Sequence, residues 1–241
     1  MIPKMFHQTA RKMSWEERRL AQHARSLMPD WSYRLWSDED NARIVREAIP
    51  EYFEDYENLP SGVARADIAR CLYMYVHGGV YFDTDYRFFH ALSPEFVSNR
   101  CILGLESQMF IDDDTAGVGE GYKVGNAFLA SEPGLELWRL FLVDVFERFR
   151  AGEREILYLA GPHALSIFLK SHVELQALVT ILPEHVIYPN LRLGNLTATR
   201  HPDTIGVHLC WGSWRNKPLK QMLRNRARRT ISAALSYQSK I

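Results

Sequence analysis

A chain of 241 residues, 46% hydrophobic and 24% charged, is long enough to bury one substantial core and is not composed like a disordered protein. Lys and Arg (29) balance Asp and Glu (29), so net charge gives no reason to expect a nucleic acid as partner. The balance is uneven along the chain. From Arg215 onward there are eight Lys/Arg and no Asp/Glu, which leaves 21 basic against 29 acidic residues before that point.

In chain order, Ile2 to Thr9 has the pattern of a short strand. Ser14 with Glu17 three residues later forms a capping box for a helix to about Met28. Trp31 to Trp36 alternates as a second strand, and Ser37-Asp38 opens a helix that stops before Pro50. After the loop Leu59-Pro60-Ser61-Gly62, a long helix is expected from Val63 to His77, ended by Gly78 and Gly79. The next segment, Gly78-Gly79-Val80-Tyr81-Phe82-Asp83-Thr84-Asp85, is an apolar strand that finishes in two aspartates one residue apart. Residues i and i+2 of a strand share a face, so the two carboxylates are expected to point the same way.

Beyond it, Cys101–Leu105 and Val124–Ala130 are expected as buried strands around a polar loop, whose Asp112-Asp113-Asp114 is taken as solvated. Pro133–Arg150 has the pattern of an amphipathic helix, and Gly161-Pro162 starts a shorter one. Val179–Leu182 and Ile187-Tyr188 are strand-like, and Thr204–Cys210 is a last buried strand. Strands alternating with helices predict an α/β fold with a mainly parallel central sheet flanked by helices. In such sheets ligands bind beyond the strand C-termini, where Asp83 and Asp85 fall. The aromatic group Tyr73, Tyr75, Tyr81 and Phe82 is assigned to the core.

Cys71, Cys101 and Cys210 are odd in number, far apart and without metal-type spacing, so reduced thiols are expected. No apolar run approaches the ~20 residues of a membrane span. The opening residues also lack the apolar block of a signal peptide. A cytoplasmic location follows as the expectation.

Chemistry concentrates on the acidic pair. Two hard oxygen donors at the mouth of a buried strand suit Mg²⁺ or Mn²⁺ together with a phosphate ligand. On the preceding helix Asp67 and Arg70, three apart, share a face. They form either a surface ion pair or a charged pair that serves a substrate.

Taken with Arg65-Ala66-Asp67-Ile68-Ala69-Arg70, the Gly-Gly-to-Asp-Thr-Asp segment resembles the DXD-containing sugar-transferase family. That family includes initiation-specific mannosyltransferases and capsular polysaccharide enzymes, with clostridial toxin glucosyltransferase domains as distant relations. Ile2-Pro3-Lys4 with His7-Gln8-Thr9, Trp31 with Leu35-Trp36-Ser37-Asp38, Asn126 with Ala130, Gly161-Pro162, and His208 with Gly212-Ser213-Trp214 follow in the family's order. Two positions depart from it, Ala10 where the family usually has Trp and Ala160 where it often has Thr or Ser.

The resemblance implies a GT-A type fold over residues 1–214 and a metal-dependent, retaining hexosyl transfer from GDP-mannose or a UDP-hexose. The implied acceptor is a glycan or lipid-linked saccharide in surface polysaccharide assembly. Asp83, Asp85 and His208 would hold Mn²⁺ or Mg²⁺, while Asp67 and Arg70 would hold the donor sugar. His7, Gln8 and Trp36 would lie near the nucleotide, Asn126 would face the transferred sugar, and Ser213 and Trp214 would close over the diphosphate. Residues 215–241 form a basic amphipathic tail that suits either an anionic membrane surface, at the inner face of the cell membrane, or docking on its own domain. A toxin-like protein glycosyltransferase is an alternative of the same chemistry. A D-x-D phosphohydrolase fits less well because Arg87 stands where that class needs Thr or Val, and a non-catalytic nucleotide-sugar module would not need all four charged residues.

Overall fold

A computed structural model describes residues 1–106, 123–189 and 201–211. Asp112-Asp113-Asp114, Ser213, Trp214 and the basic tail lie outside the described residues. The chain begins β1 (Met5–Thr9), α1 (Trp15–Leu27), β2 (Ser32–Trp36), α2 (Asp38–Ala48), α3 (Phe53–Glu57) and α4 (Gly62–Val76). It continues β3 (Gly79–Phe82), β4 (Tyr86–Phe88), α5 (Pro94–Ser98), β5 (Cys101–Gly104) and β6 (Phe128–Ser131). The last part is α6 (Glu136–Arg150), α7 (Ile156–Leu159), α8 (Pro162–Ser171), α9 (Val173–Gln176), β7 (Thr180–Leu182), α10 (Glu184–Ile187) and β8 (Gly206–His208).

Six strands form one sheet in the order β2-β1-β3-β6-β5-β7, in which β6 opposes the other five, so the sheet is mainly parallel as expected. Strand alternation divides the core between its two faces. Tyr81 packs with Leu72, Trp138, Phe141 and Phe168 of the helical layer, whereas Val80 and Phe82 pack with Phe6, Trp31, Phe88 and Phe128 on the other side. The expected capping box of Ser14 with Glu17 starts α1, and Ser37, expected to cap the next helix, forms a second box with Asp40 at the start of α2. Cys71 and Cys101 are buried, Cys210 is exposed, and all three are free thiols.

Three expectations are corrected. Ile187-Tyr188 is not a strand: Pro183 opens the single helical turn α10, which Tyr188 N–H closes on Glu184 O at 2.9 Å. The final strand is only Gly206–His208 and joins β4 in a separate antiparallel pair rather than the central sheet. The second strand expected at Val124–Ala130 begins four residues later, with Val124 reduced to an isolated bridge to Leu105.

His7 is fully buried between two partners that fix its tautomer. Trp36 Nε1–H donates to Nδ1 at 3.1 Å, so Nε2 carries the proton and donates to Gly78 O at 2.9 Å. Burial, aided by His77 and Arg34 and opposed by the Gly78 bond, lowers its pKa from 6.5 to about 3. A group depressed in the folded state is protonated first in the unfolded chain, so its contribution is lost as pH falls from 6.5 toward 3. Denaturant titrations should show stability falling through this window, with His7 supplying up to about 1.4 kcal/mol per pH unit. His7→Gln should lose that part of the slope whatever its stability at pH 7; an unchanged slope contradicts the assignment.

Candidate active site

The motif is delivered by a helix stop and a close strand approach. Gly78 and Gly79 both have positive φ, +63° and +95°, and a Cβ on Gly79 would lie 2.5 Å from Met5 O. Glycine there lets α4 end and β3 enter flush against β1.

β3 ends at Phe82, so Asp83 and Asp85 do not share a strand face as the sequence suggested. They sit on a turn closed by Tyr86 N–H donating to Asp83 O at 2.9 Å. The turn is pinned from three sides. Asp83 N–H donates to Ala127 O at 2.8 Å and Gln8 Nε2 to Asp83 O at 3.3 Å. Thr84 Oγ1–H donates at 2.7 Å to Glu17 Oε1, whose other oxygen accepts the Ser14 N–H at 2.6 Å. The cap of α1 thus also holds the middle of the Asp-Thr-Asp turn.

The β4–β8 pairing sets Tyr86 opposite His208 and brings the imidazole to the turn. His208 Nε2 lies 3.1 Å from Asp85 Oδ1 and 3.6 Å from Asp83 Oδ2. Asp85 is further tied by Trp211 N–H on Oδ2 at 2.7 Å and Leu209 N–H on its carbonyl at 3.0 Å. One donor atom from each of Asp83, Asp85 and His208 falls within 4.8 Å of the others. Two carboxylate oxygens and one imidazole nitrogen fit Mn²⁺ or Mg²⁺ with positions left for phosphate oxygens and water.

Burial opposes charging of both partners, but their mutual attraction outweighs it. The carboxyl of Asp85 is held below its usual range by His208 and the Trp211 N–H, and His208 is held well above its own by Asp85. The depressed Asp85 loses its contribution as pH falls through its folded pKa, and the raised His208 loses its contribution as pH rises through its own. The pair therefore stabilises the closed arrangement across neutral pH.

A second network lies alongside. Arg70 is 3.0 Å from Asp67 Oδ1 and 3.4 Å from Asp83 Oδ1, and Asn126 Nδ2 donates to Asp67 Oδ1 at 3.0 Å. Arg70 also donates to Asn126 O at 2.7 Å and lies over the Tyr81 ring at 4.7 Å, while Tyr81 O–H donates to Asp83 Oδ1 at 2.6 Å. Asp67 and Arg70 are 4% and 6% exposed, which rules out the surface ion pair. Burial raises the Asp67 pKa to about 7, with Arg70 opposing and Asp83 adding to the rise. Arg70 keeps its charge, since the surrounding anions outweigh its desolvation. The network couples α4, β3 and the segment before β6 at one corner of the turn.

The structure therefore brings Asp67, Arg70, Asp83, Asp85, Asn126 and His208 together. His7, Gln8 and Trp36 lie behind them, buried, with the ring nitrogens and the amide engaged by protein partners. Their place is one of support: Gln8 holds the turn, and His7 with Trp36 fixes β1 against Gly78. Tyr81, assigned to the core from the sequence, also bonds Asp83, and Glu17, expected only in the α1 capping box, also bonds Thr84. Tyr81 stands two residues before Asp83, a spacing that could have flagged it. Nothing in the sequence pointed Glu17 at Thr84.

The fold is that of the GT-A glycosyltransferases. The structure is similar to that of PaToxG glycosyltransferase, with a TM-score of 0.50, 18% identity, and 72% of this chain and 71% of that chain covered. It is also similar to galactosyltransferase LgtC in complex with donor and acceptor sugar analogs, with a TM-score of 0.51, 13% identity, and 94% and 95% of the two chains covered. At these identities the likeness is one of fold.

The family resemblance is borne out in sequence: residues 14–101 match the family described as "Glycosyltransferase sugar-binding region containing DXD motif". Inositol phosphoceramide mannosyltransferase 3 of Schizosaccharomyces pombe is 32% identical over 95 residues, 39% of this chain and 27% of that protein. Mannosyl phosphorylinositol ceramide synthase SUR1 of Saccharomyces cerevisiae is 31% identical over 121 residues, 48% of this chain and 31% of that protein. These matches thus span less than a third of either relative's length.

The Asp85 side chain bonds both His208 Nε2, at 3.1 Å, and the Trp211 N–H, at 2.7 Å, whereas the Asp83 side chain bonds Tyr81 and stands farther from Arg70 and His208, at 3.4 and 3.6 Å. Asp85→Ala should cost about 2 kcal/mol in urea unfolding at pH 7, and clearly more than Asp83→Ala. Equal losses would show that the β4–β8 closure does not depend on Asp85.

Proposed function

We propose that the chain is a metal-dependent, retaining glycosyltransferase that moves a hexosyl group, mannosyl foremost, from a nucleotide sugar to a hydroxyl of a lipid headgroup. The observation that carries this reading is the convergence of Asp83, Asp85 and His208 beside the buried Asp67–Arg70–Asn126 network, at the C-terminal end of a parallel strand. The names of the fungal relatives favour a mannosyl donor such as GDP-mannose. They also favour an inositol phosphoceramide-type acceptor over the surface polysaccharide implied by the resemblance. A headgroup acceptor is consistent with the basic tail beyond Arg215 serving as a peripheral membrane contact, at the cytoplasmic face.

Transfer breaks the bond between the anomeric carbon and the phosphate oxygen, and its electron pair leaves with the nucleoside diphosphate. The acceptor oxygen bonds to the same face of that carbon, and its proton passes to the departing phosphate. A divalent cation held by Asp83, Asp85 and His208 supplies Lewis-acid stabilisation of the diphosphate, worth several kcal/mol. Asp67, Arg70 and Asn126 are assigned to the donor sugar: they offer a carboxylate, a fixed cation and an amide at one corner, pre-ordered by their mutual bonds. Tyr81 and Gln8 hold Asp83, and Glu17 holds Thr84.

With GDP-mannose, Mn²⁺ and vesicles containing inositol phosphoceramide, the chain should form a mannosylated lipid. Excess chelator or Asp85→Asn should each lower turnover at least about a hundredfold, since roughly 1.4 kcal/mol is tenfold in rate. Turnover indifferent to both would overturn the reading; transfer from a UDP-hexose instead would change the donor alone.

A further inference from the structure

Outside this site, a second cluster of metal-ligating side chains lies at the start of β8. His185 comes from α10, and His201 and Asp203 from the segment leading into the strand. One donor atom from each falls within 4.8 Å of the others. The two imidazole rings have centroids 4.4 Å apart, and His201 Nδ1 faces Asp203 Oδ2 at 3.5 Å. Asp203 is exposed and His201 half-exposed, so an ion can reach them without opening the core.

Three bonds fix the backbones that carry these groups. Ile205 N–H donates to Val186 O at 2.9 Å, Thr204 N–H to His201 O at 3.0 Å, and the hydroxyl of the buried Thr204 to His185 O at 2.8 Å. The segments around His185 and around His201–Ile205 are thus held in register before any ion arrives. Ligand atoms around tetrahedral Zn²⁺ at ~2.05 Å are about 3.3 Å apart. Modest side-chain rotations at an exposed surface cover the remaining gap.

We propose that His185, His201 and Asp203 form a second divalent-metal site selective for a borderline ion such as Zn²⁺, with water completing the shell. The donor set separates it from the first centre. Two imidazoles and one carboxylate favour Zn²⁺ over Mg²⁺, whereas two carboxylates with one imidazole suit Mn²⁺ or Mg²⁺ beside phosphate. The bound ion ties α10 to the entry of β8, the strand that ends at His208. This site does not depend on the transferase reading and stands or falls separately from it.

The test is Zn²⁺ binding to the untagged full chain, followed by titration calorimetry and by the imidazole resonances in NMR. The double variant His185→Gln/His201→Gln should lose one zinc equivalent or bind it at least tenfold more weakly, about 1.4 kcal/mol. Asp83→Asn/Asp85→Asn should retain that equivalent, and a tenfold excess of Mg²⁺ should not displace it. In the unsubstituted chain Zn²⁺ should shift the resonances of His185 and His201 together. Unchanged zinc stoichiometry and affinity in the His185/His201 variant, or no shift of those resonances, overturns the proposal.

Discussion

The contact between Asp85 and His208 is the constraint on which the rest of the site depends. The two residues are 123 positions apart, and their 3.1 Å approach exists because a three-residue strand pairs with another three-residue strand. Neither strand is long enough to be stable alone. Their joint stability rests on Tyr86 and Phe88 being buried on the aromatic face of the sheet, and on Asp85 gathering the Trp211 and Leu209 amides. The aromatic core that makes the small sheet also sets the third donor beside the two aspartates.

Charge balance explains why the neighbouring residues are what they are. Three carboxylates, Asp67, Asp83 and Asp85, crowd one corner, and burying them without partners would cost several kcal/mol each. Arg70 serves the first two and His208 the last two. Asp83 therefore lies between two cations. A divalent ion arriving at the turn would replace the proton on His208 Nε2 and raise the local charge by one unit, which favours an anionic ligand there.

Much of this was legible in the sequence because it is locally encoded. The Ser14–Glu17 capping box, the Ser37 cap and the Gly78-Gly79 stop act over a few residues and appear where the spacing places them, and the apolar run forms its strand but ends at Phe82, before the aspartates. The pairing of Asp67 with Arg70 was readable from helical periodicity, but its burial was not, because burial depends on Asn126 and Tyr81 arriving from other elements. The same limit hid the β4–β8 pair: three-residue strands carry too little alternation to announce a partner 120 residues away. It also hid the bonds made by His7, Gln8 and Trp36, which the sequence set near a nucleotide. Their partners are Gly78, Asp83, Tyr33 and one another, all fixed by tertiary structure.

In the function proposed above, the turn after β3 and the end of β8 together make one metal–diphosphate corner. Calorimetric titration of GDP into the full chain, with Mn²⁺ and with chelator, measures whether they do. Binding should require Mn²⁺ and be lost in His208→Ala as well as in Asp85→Asn. GDP binding of equal strength in chelator, or unaffected by His208→Ala, would contradict it.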